Sequence, residues 1–283
     1  MDIRREKIRE KLQDLTLFDD ELMTLAFNED CELTAFLLNA ICPHAGFKVT
    51  EVHTQHNLPN IMGRGLKLDI LAQEASGRTV NIEVQQLPHG AIPKRARFHA
   101  SALDVHLLKK GQKFDDLPTA YIIFITKTDI LGAGKPIYTV ERQIRELQKS
   151  FDDKSVIIYV NGACMDDTLL GQIMHDFQCA SPHEMKTQTI ATKLKNIKDL
   201  KEEKKMGALY DYIYGEGHEE GLEKGLEKGR EEGFETTAQN LIDMKILSYE
   251  DIAAATQLPI ERIQAMANLK SEMPANFINS PKQ

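Results

Sequence analysis

The sequence predicts a mixed α/β first domain followed by a helical tail, and three observations carry that reading. Residues 65–86, GLKLDILAQEASGRTVNIEVQQ, alternate with period two on both sides of Ser76-Gly77, the pattern of a β-hairpin. Residues 121–126 and 156–160 are continuous apolar runs, which suit strands buried on both faces. Apolar residues at helical spacing recur before and among these runs, so helices before and among about five strands are expected.

The hairpin is the most informative stretch. Leu66, Leu68 and Ile70 alternate with Lys67, Asp69 and Leu71, and Val80, Ile82 and Val84 alternate with Asn81, Glu83 and Gln85. With the turn tip near Ser76, Asp69 stands opposite Glu83. Residues directly opposite have Cβ atoms about 5 Å apart, and like charges there are destabilising. Two carboxylates held that close make sense with a cation between them. Oxygen-only donors, few in number, suit Mg²⁺ or Mn²⁺, which keeps several waters. Gln85 shares the face of Glu83 and is placed to orient such a water. The competing reading is a solvated hairpin face in another register, because D…ExQ is a short and common pattern.

In chain order, MDIRREKIREKLQD is a charged, helically patterned leader without an apolar signal-peptide core. Asp19-Asp20-Glu21 opens an amphipathic helix carrying Leu22, Leu25 and Ala26. Asn28-Glu29-Asp30 reads as a cap or turn, and residues 32–41 form a second helix with Leu33, Phe36, Leu37 and Ala40 on one face. Pro43 and Gly46 close this pair. Residues 47–52 alternate as a first strand, and 53–65 read as a loop into the hairpin.

After the hairpin, residues 87–93 read as a loop, and Pro93 fits the first position of a helix reaching about Lys110. Its first turns carry Lys94, Arg95, Arg97 and His99, and Arg97 and Ser101 lie four residues apart on one face. A cation-rich helix start beside a metal site is a phosphate clamp; the bland alternative is a solvated basic face. The glycine-rich residues 129–136 match neither a P-loop nor a dinucleotide turn and take no phosphate role. Residues 140–151 read as a helix. His175-Asp176, after a helical 169–174, reads as a cap or core hydrogen bond, and no Ser or Cys sits in a nucleophile elbow.

Residues 186–214 read as helical and lead into GEGHEEGLEKGLEKGREEG, where Gly217, Gly221, Gly225, Gly229 and Gly233 recur every four residues. Each interior helical glycine costs about 1 kcal/mol against alanine. The stripe is sensible where two helices approach closely, which makes it a candidate homodimer contact; a flexible charged linker is the alternative. Ser248-Tyr249-Glu250-Asp251 forms a capping box with Asp in place of Glu. A short helix follows, and Pro259 opens another through Met266. This is helix-turn-helix in outline, but Arg262 and Lys270 are its cations, so a packing module is at least as good a reading as a groove reader. The expected division is 1–198 for the α/β domain, 199–240 for the glycine-repeat helix or linker, 241–270 for the small helical module and 271–283 for the tail.

The formal net charge of −8 over 283 residues does not exclude a nucleic-acid partner, because it is unevenly placed. Residues 1–198 are close to neutral and 199–235 hold most of the acid excess. No run approaches the ~20 apolar residues of a membrane span. Cys31, Cys42, Cys164 and Cys179 lack CxxC spacing, which predicts reduced, buried thiols and a cytoplasmic location.

The blocks FDDELMTLAFN, FLLNAI, LDILAQEASGRTVNIEVQ, RARFHASALD, YIIFIT, IIYVNG and MHDF, in this order from about Phe18 to Lys198, resemble the bacterial PD-(D/E)XK nuclease-family transposases, also called recombination-promoting nucleases. The glycine repeats and the LSYEDIA ending resemble the family's C-terminus. The resemblance implies a restriction-endonuclease-like mixed sheet flanked by helices, and Mg²⁺- or Mn²⁺-dependent cutting of DNA phosphodiesters. It implies metal-binding roles for Asp69 and Glu83. Gln85 stands where the wider superfamily has Lys, which removes a cation that would polarise the water and implies slow turnover or a need for Mn²⁺. Glu29 lies in the region of the acid that an N-terminal helix contributes in related nucleases, with Asp30 and Glu32 as alternatives. Arg95 or Arg97 would hold a flanking phosphate. Two further readings stay open: a catalytically silent nucleic-acid-binding descendant, and an assembly protein organised by the glycine stripe.

Overall fold

A computed structural model describes residues 10–59, 65–199, and further on 234, 237–244, 247–256, 260, 263–264 and 267. The chain divides into two compact units, Met1–Gly207 and Ala208–Gln283. The glycine-repeat segment, and with it the expected close helix contact, lies outside the described residues.

In the first unit, helices α1 (Asp20–Phe27) and α2 (Cys31–Ile41) precede strands β1 (Val49–Leu58), β2 (Leu66–Glu74) and β3 (Thr79–Gln85). A 3₁₀ turn over Pro88–Ala91 leads into α3 (Pro93–Leu107), and β4 (Ala120–Thr126) follows. Then come β5 (Ile137–Val140), the short strands β6 (Gln143–Ile144) and β7 (Lys149–Ser150), β8 (Ser155–Asn161), α4 (Leu169–Gln178) and α5 (Gln188–Lys198). Among the described residues, β1-β2-β3-β4-β8-β5 form one mixed sheet in that order, and β6 pairs with β7 apart from it. The β1–β2 and β2–β3 pairs are antiparallel, β3–β4 and β4–β8 are parallel, and β5 lies antiparallel on β8. Mixed sheet and flanking helices give the expected restriction-endonuclease-like architecture.

The parallel centre explains the apolar runs. From Thr79 to Val84, β3 is buried on both faces, and β4 is nearly so, because a crossover helix covers one face and the helical layer the other. Under α3, Ala96, Ala100 and Leu103 pack with Leu71, Ile122 and Phe124. Among the helices, Phe177 of α4 meets Phe18 at 5.8 Å edge-on and Phe27 at 6.3 Å.

Four expectations need correction. Residues 53–58, read as loop, continue β1 and pair with β2 down to Leu58–Leu66. Residues 140–151, read as helix, hold the end of β5 and the β6–β7 ribbon. Main-chain pairing across a short turn wins there over apolar spacing. Among the described residues the main sheet therefore has six strands and a separate ribbon two more, against the about five expected for the domain. The four cysteines are free, as expected, but half-buried rather than buried.

Several smaller elements form as read. At the hairpin tip the Gly77 N–H donates to Glu74 O at 2.9 Å, and Gly77 sits at φ +86°, a left-handed conformation that suits glycine. Asp176 is fully buried. It accepts from the Lys186 and Thr187 N–H groups at 2.7 Å each and from Thr187 Oγ1 at 2.6 Å, with His175 Nδ1 at 3.1 Å; the pair is a structural clasp. In the second unit, Ala238, Ile252 and Ile263 share a small core. Ser248 Oγ caps α6 (Tyr249–Thr256) by accepting from the Asp251 N–H at 3.1 Å and donates to Asp251 Oδ2 at 2.7 Å. Among the described residues no helix is long and apolar enough to cross a membrane.

Candidate functional site

β2 and β3 adopt the register read from the turn. Ile70 faces Ile82, Leu71 faces Asn81, Ala72 faces Val80 and Gln73 faces Thr79, so the next step sets Asp69 against Glu83. There the backbone ladder stops and the carboxylates take over. Asp69 Oδ2 accepts from the Val84 N–H at 2.9 Å, and the Asp69 N–H donates to Glu83 Oε1 at 3.3 Å. Each acid thus occupies an amide on the opposing strand, and the two side chains meet where the strands part.

This face is not solvated. Glu83, Asn81 and His99 are all 0 % exposed, because α3 lies over them. Burial, and after it the Glu83 carboxylate, raise Asp69 well above the ordinary carboxylate range; Asp20 adds to the rise, while the Val84 N–H and Arg95 oppose it. A pair whose second charge is resisted this way is suited to a cation.

The cations of α3 divide by helical phase. Ala96, His99, Ala100 and Leu103 form its buried stripe, which leaves Arg95 on one flank and Lys94, Arg97 and Ser101 outward. Arg95 Nη2 donates to Glu83 Oε2 at 3.2 Å, and Arg95 Nε donates to His99 Nε2 at 3.2 Å. With Nε2 accepting, His99 carries its proton on Nδ1. That Nδ1 lies 3.5 Å from Glu83 Oε1 and 3.0 Å from the Asn81 amide nitrogen. Asn81 Oδ1 is buried without a partner, and a half-turn of the amide brings it onto Nδ1–H. The imidazole also meets Phe124 edge-on at 5.6 Å. Outside, Ser101 Oγ donates to Arg97 O at 3.0 Å, so the helix's own backbone engages its hydroxyl.

The structure gathers Asp69, Glu83, Arg95 and His99. Gln85 shares the strand of Glu83 but leans on the turn after it, where a Cβ on Gly90 would collide with Gln85 Oε1. Glu29 is exposed in the α1–α2 turn at φ +56° and hydrogen-bonds to neither acid. Asp30 caps α2 by accepting from the Leu33 N–H and pairs with Lys193 at 2.6 Å, and Glu32 is exposed. The acid from the N-terminal helices whose charge reaches Asp69 is Asp20. Gln86 explains its place: Gln86 Nε2 donates to Phe18 O at 2.9 Å and Asp19 Oδ1 at 3.0 Å, fixing the start of α1 beside the end of β3. The signal available in the sequence was the position of Asp20 in the first turn of the first helix, which reads equally well as a dipole-stabilising acid.

Among the described residues no three His, Cys, Asp or Glu side chains form a complete metal-ligand set. The donors present, two carboxylates with the Asp69 charge disfavoured, fit an ion that takes few protein ligands and retains water. They do not fit a tetrahedral zinc site.

In comparison with known proteins, residues 25–168 match the family model described as PD-(D/E)XK nuclease family transposase. No curated protein and no solved structure matches the chain.

Proposed function

The chain belongs to the PD-(D/E)XK nuclease family of transposases, and from that premise we propose that it is a Mg²⁺- or Mn²⁺-dependent DNA endonuclease acting through Asp69 and Glu83. The observation that carries the reading is the meeting of these two acids at the parting of β2 and β3. We assign the activity to residues 1–198. Asp69 and Glu83 would hold the cation, with Asp20 acting on the same site through its charge. When bound, the ion would activate a water and neutralise charge that grows on the phosphate. The chain's own part is to position. The Val84 N–H fixes one oxygen of Asp69 and the Asp69 N–H fixes one of Glu83. Lys94 and Arg97, on the outer face of α3, contact neighbouring backbone phosphates with Ser101 beside them, and contact of this kind weakens steeply with salt. Gln85 carries no charge and leans toward Gly90, so it brings no cation to polarise a water.

Plasmid nicking by the purified chain with Mg²⁺ or Mn²⁺, beside Asp69→Ala and Glu83→Ala, tests the proposal. Cutting by the parent and by neither variant is the expected outcome. Equal cutting by all three would place the chemistry elsewhere. Retained DNA binding without cutting would identify a silent DNA-binding descendant.

A further inference from the structure

Among the described residues, the oxygen of the acid pair that a side-chain cation holds is Glu83 Oε2. Glu83 is fully buried. Its Oε1 is occupied by the Asp69 N–H and faces the His99 ring, whereas Oε2 is met by Arg95 alone among the described residues. Arg95 is 38 % exposed at its side chain, so it spans the boundary between the buried acids and solvent. Its Nε is held by His99, one turn further along α3. The Nη end is therefore the part free to leave Glu83, pivoting about the Nε contact.

We propose that Arg95 is an exchangeable counter-ion: it holds Glu83 while the site is metal-free, and passes to a DNA phosphate when a divalent cation takes Glu83. The proposal rests on the metal-dependent reading above and deepens it. A guanidinium stays charged at every accessible pH, so it cannot yield by losing a proton. Two cations at one carboxylate oxygen repel strongly in a partly buried site, and Arg95 must move for the ion to settle. The planar fork that met a carboxylate suits a phosphate equally well. Gln85 brings no charge to this position, so Arg95 is also the described cation that reaches the reacting phosphate from inside the site. Metal and DNA then help each other bind, because each removes what opposes the other, and such coupling is reciprocal.

Mn²⁺ titration of the full chain, followed by the electron paramagnetic resonance of free Mn²⁺, reads this without turnover. Arg95→Gln and Arg95→Ala should each bind Mn²⁺ about tenfold more tightly than the parent in the absence of DNA. Arg95→Lys, which keeps the charge, should remain near the parent. A phosphorothioate duplex resistant to hydrolysis should tighten Mn²⁺ binding by the parent more than by the two neutral variants. Parent-like or weaker Mn²⁺ binding by both neutral variants overturns the exchange while leaving the metal reading standing. Absence of Mn²⁺ binding from parent and variants alike overturns both.

Discussion

The surroundings of Asp69 resist a charge on its carboxyl. Burial and Glu83 raise its pKa in the fold, so the folded chain holds this proton at pH values where the unfolded chain has released it. The sign follows directly. Stability falls as pH rises from the ordinary carboxylate value through the raised one, and the loss persists above it. Asp69→Asn should therefore stabilise the metal-free protein at pH 7–8 by on the order of 1 kcal/mol, with little effect near pH 4. Urea unfolding at the two pH values checks this; equal shifts at both would show that the charge is not the cause. Mg²⁺ should raise the melting temperature of the parent and leave that of Asp69→Asn unchanged. At this scale the sequence revealed the two acids, because strand alternation and turn position determine what faces what. It did not separate Arg95 from Arg97, since both belong to a cation-rich helix start. The phase that separates them comes from small residues, Ala96 and Ala100, whose burial beneath α3 is a tertiary fact.

Among the elements, the β2–β3 hairpin has its own brace. Arg78 donates to Glu74 through Nε at 2.7 Å and Nη2 at 2.8 Å, reaches Ala45 O at 3.0 Å, and lies 4.1 Å over the Phe47 ring. Glu74, 9 % exposed, also accepts from the Lys48 N–H. Burial works to raise Glu74, but the Arg78 and Lys48 hydrogen bonds prevail and hold its pKa below the usual value. Its stabilisation is present above the ordinary glutamate pKa and is lost as pH falls through the depressed one. Arg78→Ala should cost about 3 kcal/mol at neutral pH by stranding Glu74, and that cost should shrink below pH ~4; denaturant midpoints across pH 3–7 measure it. A flat difference across that range would remove the ion pair from the account. The misread elements failed for a physical reason. In β1, His53, Thr54, Gln55, His56 and Asn57 lie half-buried or exposed on an edge strand, and a strand with so little apolar alternation reads as loop. Residues 140–151 place Val140, Ile144, Leu147 and Phe151 near helical spacing, yet Val140, Leu147 and Phe151 are exposed. Their apolar period reports no core-facing stripe.

Across the first unit, Lys198 joins parts that lie farthest apart in the chain. Its Nζ donates to Gln13 O at 3.0 Å, Leu15 O at 2.8 Å and Ala180 O at 2.6 Å, and burial lowers its pKa. Lys198→Met should destabilise the unit by about 3 kcal/mol, since the buried Leu15 carbonyl and two less buried ones lose their charged donor; a urea midpoint unchanged from the parent would dismiss the lysine as a fastening. No local pattern announced this residue, because a lysine at a helix end is ordinarily solvated. The fastening also sets an order of events during synthesis. The acceptors at Gln13 and Leu15 precede Lys198 by 185 and 183 residues, so a nascent chain lacks the third strand of that knot until the end of α5 has cleared the ribosome. Until then the segment before α1 is untied from its final anchor. A growing polypeptide thus gains this fastening only after residue 198 has emerged, and ribosome-bound chains long enough to expose residue 198 should resist protease better than shorter ones.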